Sequence, residues 1–220
     1  MKQIIKKPEP AWFIAWKDNF CRINGRDPLY ADFRKTQEWQ DLIQVLLQEQ
    51  GYICCYCMKR IEGWDSHIEH FIPRNIRNTD PHSVRAENVE LKYDNMFESC
   101  NGEHGDWSHC GRYKDREDSL MLLSPTEEKL DEHFRYTMDG HITAASDLDS
   151  QAMTTIRILN LDSFELKRHR QTAIYTAVRN VYDQASKDEL IQLYLSKDDE
   201  GAFAPFCMAV VNCTLQNGHS

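Results

Sequence analysis

His67-Ile68-Glu69-His70 gathers two imidazoles and a carboxylate in one short segment, between a Cys54-Cys55-Tyr56-Cys57 knuckle and the downstream residues Asn95, Cys100 and Cys110. Glu69 offers a hard oxygen to a divalent cation. The adjoining His70, with an ordinary pKa near 6.5, suits a general base at neutral pH. The pair points to hydrolysis at a phosphate. Cys54 and Cys57 have the spacing at which two thiolates grip one tetrahedral zinc, and Cys100 with Cys110 can complete a four-sulfur shell. A shell closed by four thiolates leaves no position for a substrate. The zinc is therefore read as structural, and the reaction falls to Glu69 and His70.

His67 precedes Glu69 by two residues and shares its strand face, where it either touches phosphate or metal or simply caps the sheet edge. Arg112 and Lys114 suit contact with phosphate oxygens, arginine by its fork and lysine as a point charge. Arg74, with Arg77 and Arg85, brings positive charge to the other flank of the motif. A solvated surface is the bland account of each of these groups. The whole chain opposes unaided capture of nucleic acid, because 35 acidic residues outnumber 26 basic ones for a net charge of −9. A local basic face or a basic partner is needed. Cys21, Cys55, Cys207 and Cys213 follow no pairing pattern and read as small buried hydrophobes.

The elements that must position these groups divide 220 residues into an N-terminal helical extension over 1–51, a core over 52–118, and a hairpin with a mostly helical region over 119–220. Trp39, Leu42, Ile43 and Leu46 recur at helical spacing between Thr36, a candidate N-cap, and Gly51, a candidate C-cap, predicting a helix over 36–50. Short extended pieces follow: Tyr52–Cys54, Met58–Glu62 and, after a Gly63-Trp64-Asp65 turn, Ser66–Ile72 ending at Pro73. On a regular strand Glu69 and His70 face opposite ways, so one site can use both only where the strand ends or bends. Residues 75–88 and 100–110 read as loops. Asp139-Gly140 predicts a hairpin between Phe134–Met138 and His141–Thr143. Capping boxes at Asp162–Glu165 and Ser186–Glu189 announce helices, and Pro205 suits the first turn of a last one. No apolar run approaches membrane-spanning length, and the N-terminal apolar stretch is too short for a secretory signal, so the expected location is cytoplasmic, with no membrane partner.

Four blocks, Cys54-Cys55-Tyr56-Cys57, His67 to Pro73, Asn95 to Asn101, and His109-Cys110-Gly111-Arg112-Tyr113-Lys114, together resemble an HNH endonuclease of the ββα-metal class. More narrowly, they are similar to the HNH nuclease subunit of retron and Septu anti-phage defence systems. The resemblance implies an α+β fold with a ββα-metal core and a structural zinc site of four cysteines. It implies that His70 takes a proton from water, that Glu69 holds a catalytic Mg²⁺ or Mn²⁺, and that Asn95 orients the loop presenting His70. It further implies an ABC-type ATPase as partner, in retrons also a reverse transcriptase with its msDNA, and DNA or RNA such as tRNA as substrate. Residues 150–220 are the expected docking surface. The chain departs from the family at Gly111, where many members carry a His or Asn that binds the ion. His109 is the first candidate replacement, before His104, Asn101 and Asp115. That departure keeps a rival open, a zinc-ribbon scaffold that keeps the shape of the core without catalysis.

Overall fold

The computed structural model describes residues 1–74, 89–102, 108–114, 121–179 and 181–216. Among these residues the chain is a mixed α+β protein with eight α-helices and two two-stranded antiparallel sheets. Three helices lead: α1 (Ala11–Asn24), α2 (Tyr30–Phe33) and α3 (Glu38–Gln50). The helix expected over 36–50 is α3, starting two residues late because the Thr36 hydroxyl donates to the Phe33 carbonyl (2.8 Å) and closes the preceding turn instead of capping. Gly51 ends it with φ of 64°, a left-handed conformation that costs glycine least. Leu42, Ile43, Leu46 and Leu47 form its buried face.

The first sheet pairs β1 (Ser66–His70) with β2 (Met96–Cys100), the register running from Ser66 opposite Cys100 to His70 opposite Met96. The α3 terminus holds this sheet. The Gln50 amide donates to Ile53 O (2.9 Å) and Glu98 O (2.8 Å), and its oxygen accepts from Glu98 N (2.7 Å), so one buried side chain completes the outer edge of β2. The strands expected at Tyr52–Cys54 and Met58–Glu62 reduce to a single bridge between Ile53 and Arg60. The reason is the tight turn between them: Met58 N returns to Cys54 O (3.1 Å) with Met58 at φ of 64°, and a chain coiled to bring Cys57 back beside Cys54 cannot extend. A one-turn helix, α4 (Gly111–Lys114), follows β2.

The predicted hairpin is present as β3 (Phe134–Tyr136) and β4 (Ile142–Ala144). Gly140 is required there, since a β-carbon would collide with the Lys167 carbonyl. The rest is α5 (Ser150–Ile158), α6 (Phe164–Val178), α7 (Gln184–Leu195) and α8 (Cys207–Gln216). Neither predicted capping box forms where expected: α6 has no side-chain cap, and the box of α7 is shifted. Asp162 leaves its helix to accept from Ile142 N (3.0 Å) and pair with His141 (2.8 Å), so Ser163 is the N-cap residue of α6. In α7 the box is Asp183 with Ser186, because an aspartate oxygen reaches the Ser186 N–H (2.8 Å) one turn earlier than expected. Pro205 precedes α8 instead of lying within it. One cluster of buried residues runs from Met1 to Cys213 and unites these elements. No helix of the described residues is long and apolar enough to cross a membrane.

Candidate functional site

The thiols of Cys54, Cys57, Cys100 and Cys110 are all buried and lie within 4.8 Å of one another. Cys57 and Cys100 are 3.8 Å apart, which is about the edge of a tetrahedron with zinc–sulfur bonds near 2.3 Å. The knuckle turn presents the first two thiols. The end of β2 presents the third, with Cys100 N donating to Cys54 Sγ (3.3 Å). Cys110 supplies the fourth from a left-handed backbone with φ of 58°, pinned by its N–H on the Leu159 carbonyl (2.8 Å). A non-glycine residue there is strained and persists because its surroundings hold it. The thiols do not titrate alike: burial pushes Cys110 well above the usual thiol range, whereas hydrogen bonds from Cys100 and Cys110 overcome burial and hold Cys54 well below it. Four thiols so arranged can hold a metal such as zinc.

Beside this cluster a cleft of about 710 Å³ is lined by His67, Glu69, His70, Arg74, Gly111 and Arg112, together with Tyr30, Arg34 and Trp39. Five of the side chains singled out in the sequence thus share one cavity. Glu69 is fixed from below. Its Oε1 accepts from the Tyr56 hydroxyl (3.0 Å) and from Lys114 Nζ (2.7 Å), while Oε2 faces His67 Nε2 at 3.8 Å. Burial would raise its carboxyl, but the Lys114 ammonium bonded to Oε1 outweighs it and holds the group below the usual value. Glu69 therefore stays ionised.

His70 is the last residue of β1, and its ring turns the other way, edge-on to Tyr30 with centroids 4.6 Å apart. Nε2 lies 2.9 Å from the Glu90 carbonyl, which can only accept, so the proton sits on Nε2 and Nδ1 keeps its lone pair. The residue is 8 % exposed, and burial drives its pKa down to about 4. His70 is neutral near pH 7. Asn95 holds the segment that follows: Oδ1 accepts from Ile72 N (2.7 Å), and Nδ2 donates to Ile72 O (3.0 Å) and Val89 O (3.0 Å). Its amide bridges both sides of the loop beyond His70.

Two expected roles change. Lys114 is 1 % exposed and donates to Glu69 Oε1, to His70 O (2.9 Å) and to Phe71 O (2.7 Å). All three ammonium protons are used, so it supports the carboxylate and the chain around His70 and has none left for phosphate. His109 is buried against the cysteines, with Nδ1 3.2 Å from Cys110 Sγ and 3.7 Å from Cys100 Sγ, and it does not line the cleft. Its ring sits against the thiols of Cys100 and Cys110. Arg74 lies over the Tyr30 ring at 4.2 Å, and Arg112 is exposed at the rim. Arg34, Tyr30, Tyr56 and Asn101 went unassigned or misassigned in the sequence. Only Tyr56, enclosed by the two knuckle cysteines, carried a positional hint. His104, Asp115, Arg77 and Arg85 lie outside the described residues.

No protein-family model matches the chain, and no curated protein matches it significantly. The functional reading therefore rests on this geometry and on the motif order.

Proposed function

We propose that the protein is a metal-dependent nuclease of the HNH, ββα-metal kind that hydrolyses phosphodiester bonds of DNA or of RNA such as tRNA. The observation that carries this reading is the shared cleft: an ionised, clamped carboxylate, a neutral imidazole with a free lone pair, and three arginines open onto one cavity next to a closed thiol cluster. The chain order β1, β2, α4, with β1 and α4 lining the cleft, supports this reading. His70 accepts the proton of the attacking water at Nδ1 as its oxygen bonds to phosphorus and the bridging P–O bond breaks. Arg34, Arg74 and Arg112 bind the phosphate oxygens, supplying locally the positive charge that the chain as a whole lacks. Asn95 and Lys114 hold the chain at and just beyond His70 so that little reorganisation accompanies the step. A divalent ion held by Glu69, Mg²⁺ or Mn²⁺, would supply charge neutralisation at the phosphate when bound. Zinc at Cys54, Cys57, Cys100 and Cys110 would fix the knuckle to β2 and α4.

The same reading makes the chain the effector of an anti-phage assembly, with an ABC-type ATPase and, in a retron setting, a reverse transcriptase with msDNA. The helical region offers exposed Tyr175, Tyr182, Leu193 and Leu195 as contact points for such partners. Protein with and without partners, incubated with plasmid DNA or tRNA in Mg²⁺ or Mn²⁺, should cut one of them. His70→Ala should lose about 10²- to 10⁴-fold in rate, the usual range for removing a general base. Cleavage undiminished in that variant would remove His70 from the mechanism. One observation favours a second reading, a non-catalytic zinc scaffold: His70 is largely buried and tied to a backbone carbonyl. No cleavage under any of these conditions would establish that alternative.

A further inference from the structure

The cleft holds a pair of atoms that face each other without bonding. His67 Nδ1 lies 3.2 Å from Asn101 Oδ1, an oxygen that also faces the Arg112 guanidinium at 3.5 Å. That oxygen accepts, so the His67 proton sits on Nδ1 and the lone pair of Nε2 is left bare. It is aimed at Glu69 Oε2, 3.8 Å away. Two acceptors meet there, across a gap too long for a hydrogen bond even if the ring gained a second proton. The other carboxylate oxygen is already saturated by Tyr56 and Lys114. What fits between Nε2 and Oε2 is a cation.

The backbone opposite keeps that gap open. Gly111 N donates to Ser99 Oγ (3.3 Å), and Ser99 is the cross-strand neighbour of His67, so α4 begins directly over this face of the sheet. A β-carbon on Gly111 would stand 2.7 Å from Glu69 Oε2 and 2.9 Å from His67 Nε2. The volume a side chain would take at 111 is the volume between the two ligand atoms. A residue there and an ion bound by His67 and Glu69 exclude each other, and glycine resolves the conflict.

We propose that His67 Nε2 and Glu69 Oε2 form a divalent-cation site selective for a transition ion of the Mn²⁺ class over Mg²⁺, with Asn101 as the positioning residue that sets the histidine tautomer and Gly111 as the residue that leaves room. The proposal rests on the nuclease reading for its use but not for its existence. Imidazole nitrogen is a better ligand for first-row transition ions than for magnesium, which prefers oxygen and water. A ring held by a second hydrogen bond at its far nitrogen is the usual companion of metal ligation. The metal-binding side chain that α4 lacks at 111 is thus supplied from β1, two residues before Glu69.

Protein carrying one zinc per chain is titrated with Mn²⁺ and followed by electron spin resonance, with electron spin echo modulation reading nitrogen coupled to the ion. One Mn²⁺ should bind per chain with imidazole ¹⁴N coupling, and Mg²⁺ should displace it only at tenfold or greater excess. His67→Ala should abolish the ¹⁴N coupling, weaken Mn²⁺ at least tenfold and remove most of the preference over Mg²⁺, while zinc content stays at one. His70→Ala should leave coupling and affinity unchanged. Absence of ¹⁴N coupling in the wild type overturns the proposal without recourse to any variant, and so does coupling that survives in His67→Ala. The two ideas fail separately: Mn²⁺ bound through His67 in a protein that cuts nothing sinks the nuclease and keeps the site, whereas His70-dependent cleavage with Mn²⁺ binding indifferent to His67 does the reverse.

Discussion

The thiol cluster and the cleft meet at consecutive residues, Cys110 and Gly111, yet they are built on opposite plans. The cluster has four donors, each no more than 3 % exposed, converging from three separate stretches of chain. The cleft has two donors on one strand, with the His67 side chain 28 % and the Glu69 side chain 11 % exposed. A saturated, enclosed donor set can only hold structure together, while an incomplete one open to solvent has positions left for water and substrate. The contrast is sharpest if the cluster is removed. Cys54→Ser should leave the protein without zinc and without a cooperative urea transition, because a structural zinc contributes on the order of 10 kcal/mol, comparable to the whole stability of a domain. Zinc analysis and circular dichroism read both effects, and a chelator should reproduce them in the wild type. A zinc-free Cys54→Ser protein that melts like the wild type would erase the distinction between the two regions.

Damage on the open side should be smaller and confined. Lys114→Met keeps the length of the side chain but leaves Glu69 with one fixed donor, Tyr56, and takes a partner from the carbonyls of His70 and Phe71. Breaking a buried ion pair from one side costs about 3–5 kcal/mol. The urea midpoint should fall accordingly while zinc stays bound at one per chain. A loss below about 1 kcal/mol would mean that the pair behaves like an exposed one and that Glu69 holds its orientation alone.

These two variants also mark what could be read from the sequence. The cysteines were legible because thiolate spacing is a local signature, and α3 with its Gly51 terminus was legible because one face repeats Leu42, Ile43, Leu46. The β3–β4 hairpin showed in Asp139-Gly140. Lys114 was misread because a lysine two residues beyond Arg112 looks like surface charge; only the register of β1 against β2, together with the turn of α4, shows that its ammonium ends beneath Glu69. His109 was misread for a similar reason, since adjacency to Cys110 in sequence placed its ring against the thiols and not in the cleft. The His67, Asn101 and Gly111 arrangement joins three segments, and of it only the strand face that His67 shares with Glu69 was legible locally. The loss of the first capping box and the shift of the second are contests among neighbouring oxygens that their partners decide, as when Asp162 bonds to Ile142 and His141.

Glu98 lies between the two regions and tests how far each depends on charge. It is fully buried on β2, neither carboxylate oxygen has a hydrogen-bond partner, the Ser66 hydroxyl donating instead to Glu62 O, and burial pushes it up to about 7. Its backbone is well used, by Gln50 and Cys55, so the cost is confined to the side chain. An unsatisfied buried carboxylate costs on the order of 1–3 kcal/mol, and a thioether of similar volume does not carry that cost. Glu98→Met should therefore raise the urea midpoint at pH 8 by an amount equivalent to about 1–2 kcal/mol, with zinc and Mn²⁺ stoichiometry unchanged. If the variant instead loses either ion, the carboxylate belongs to the chemistry of that region, and the boundary between the closed thiol cluster and the open cleft has to be moved to include β2.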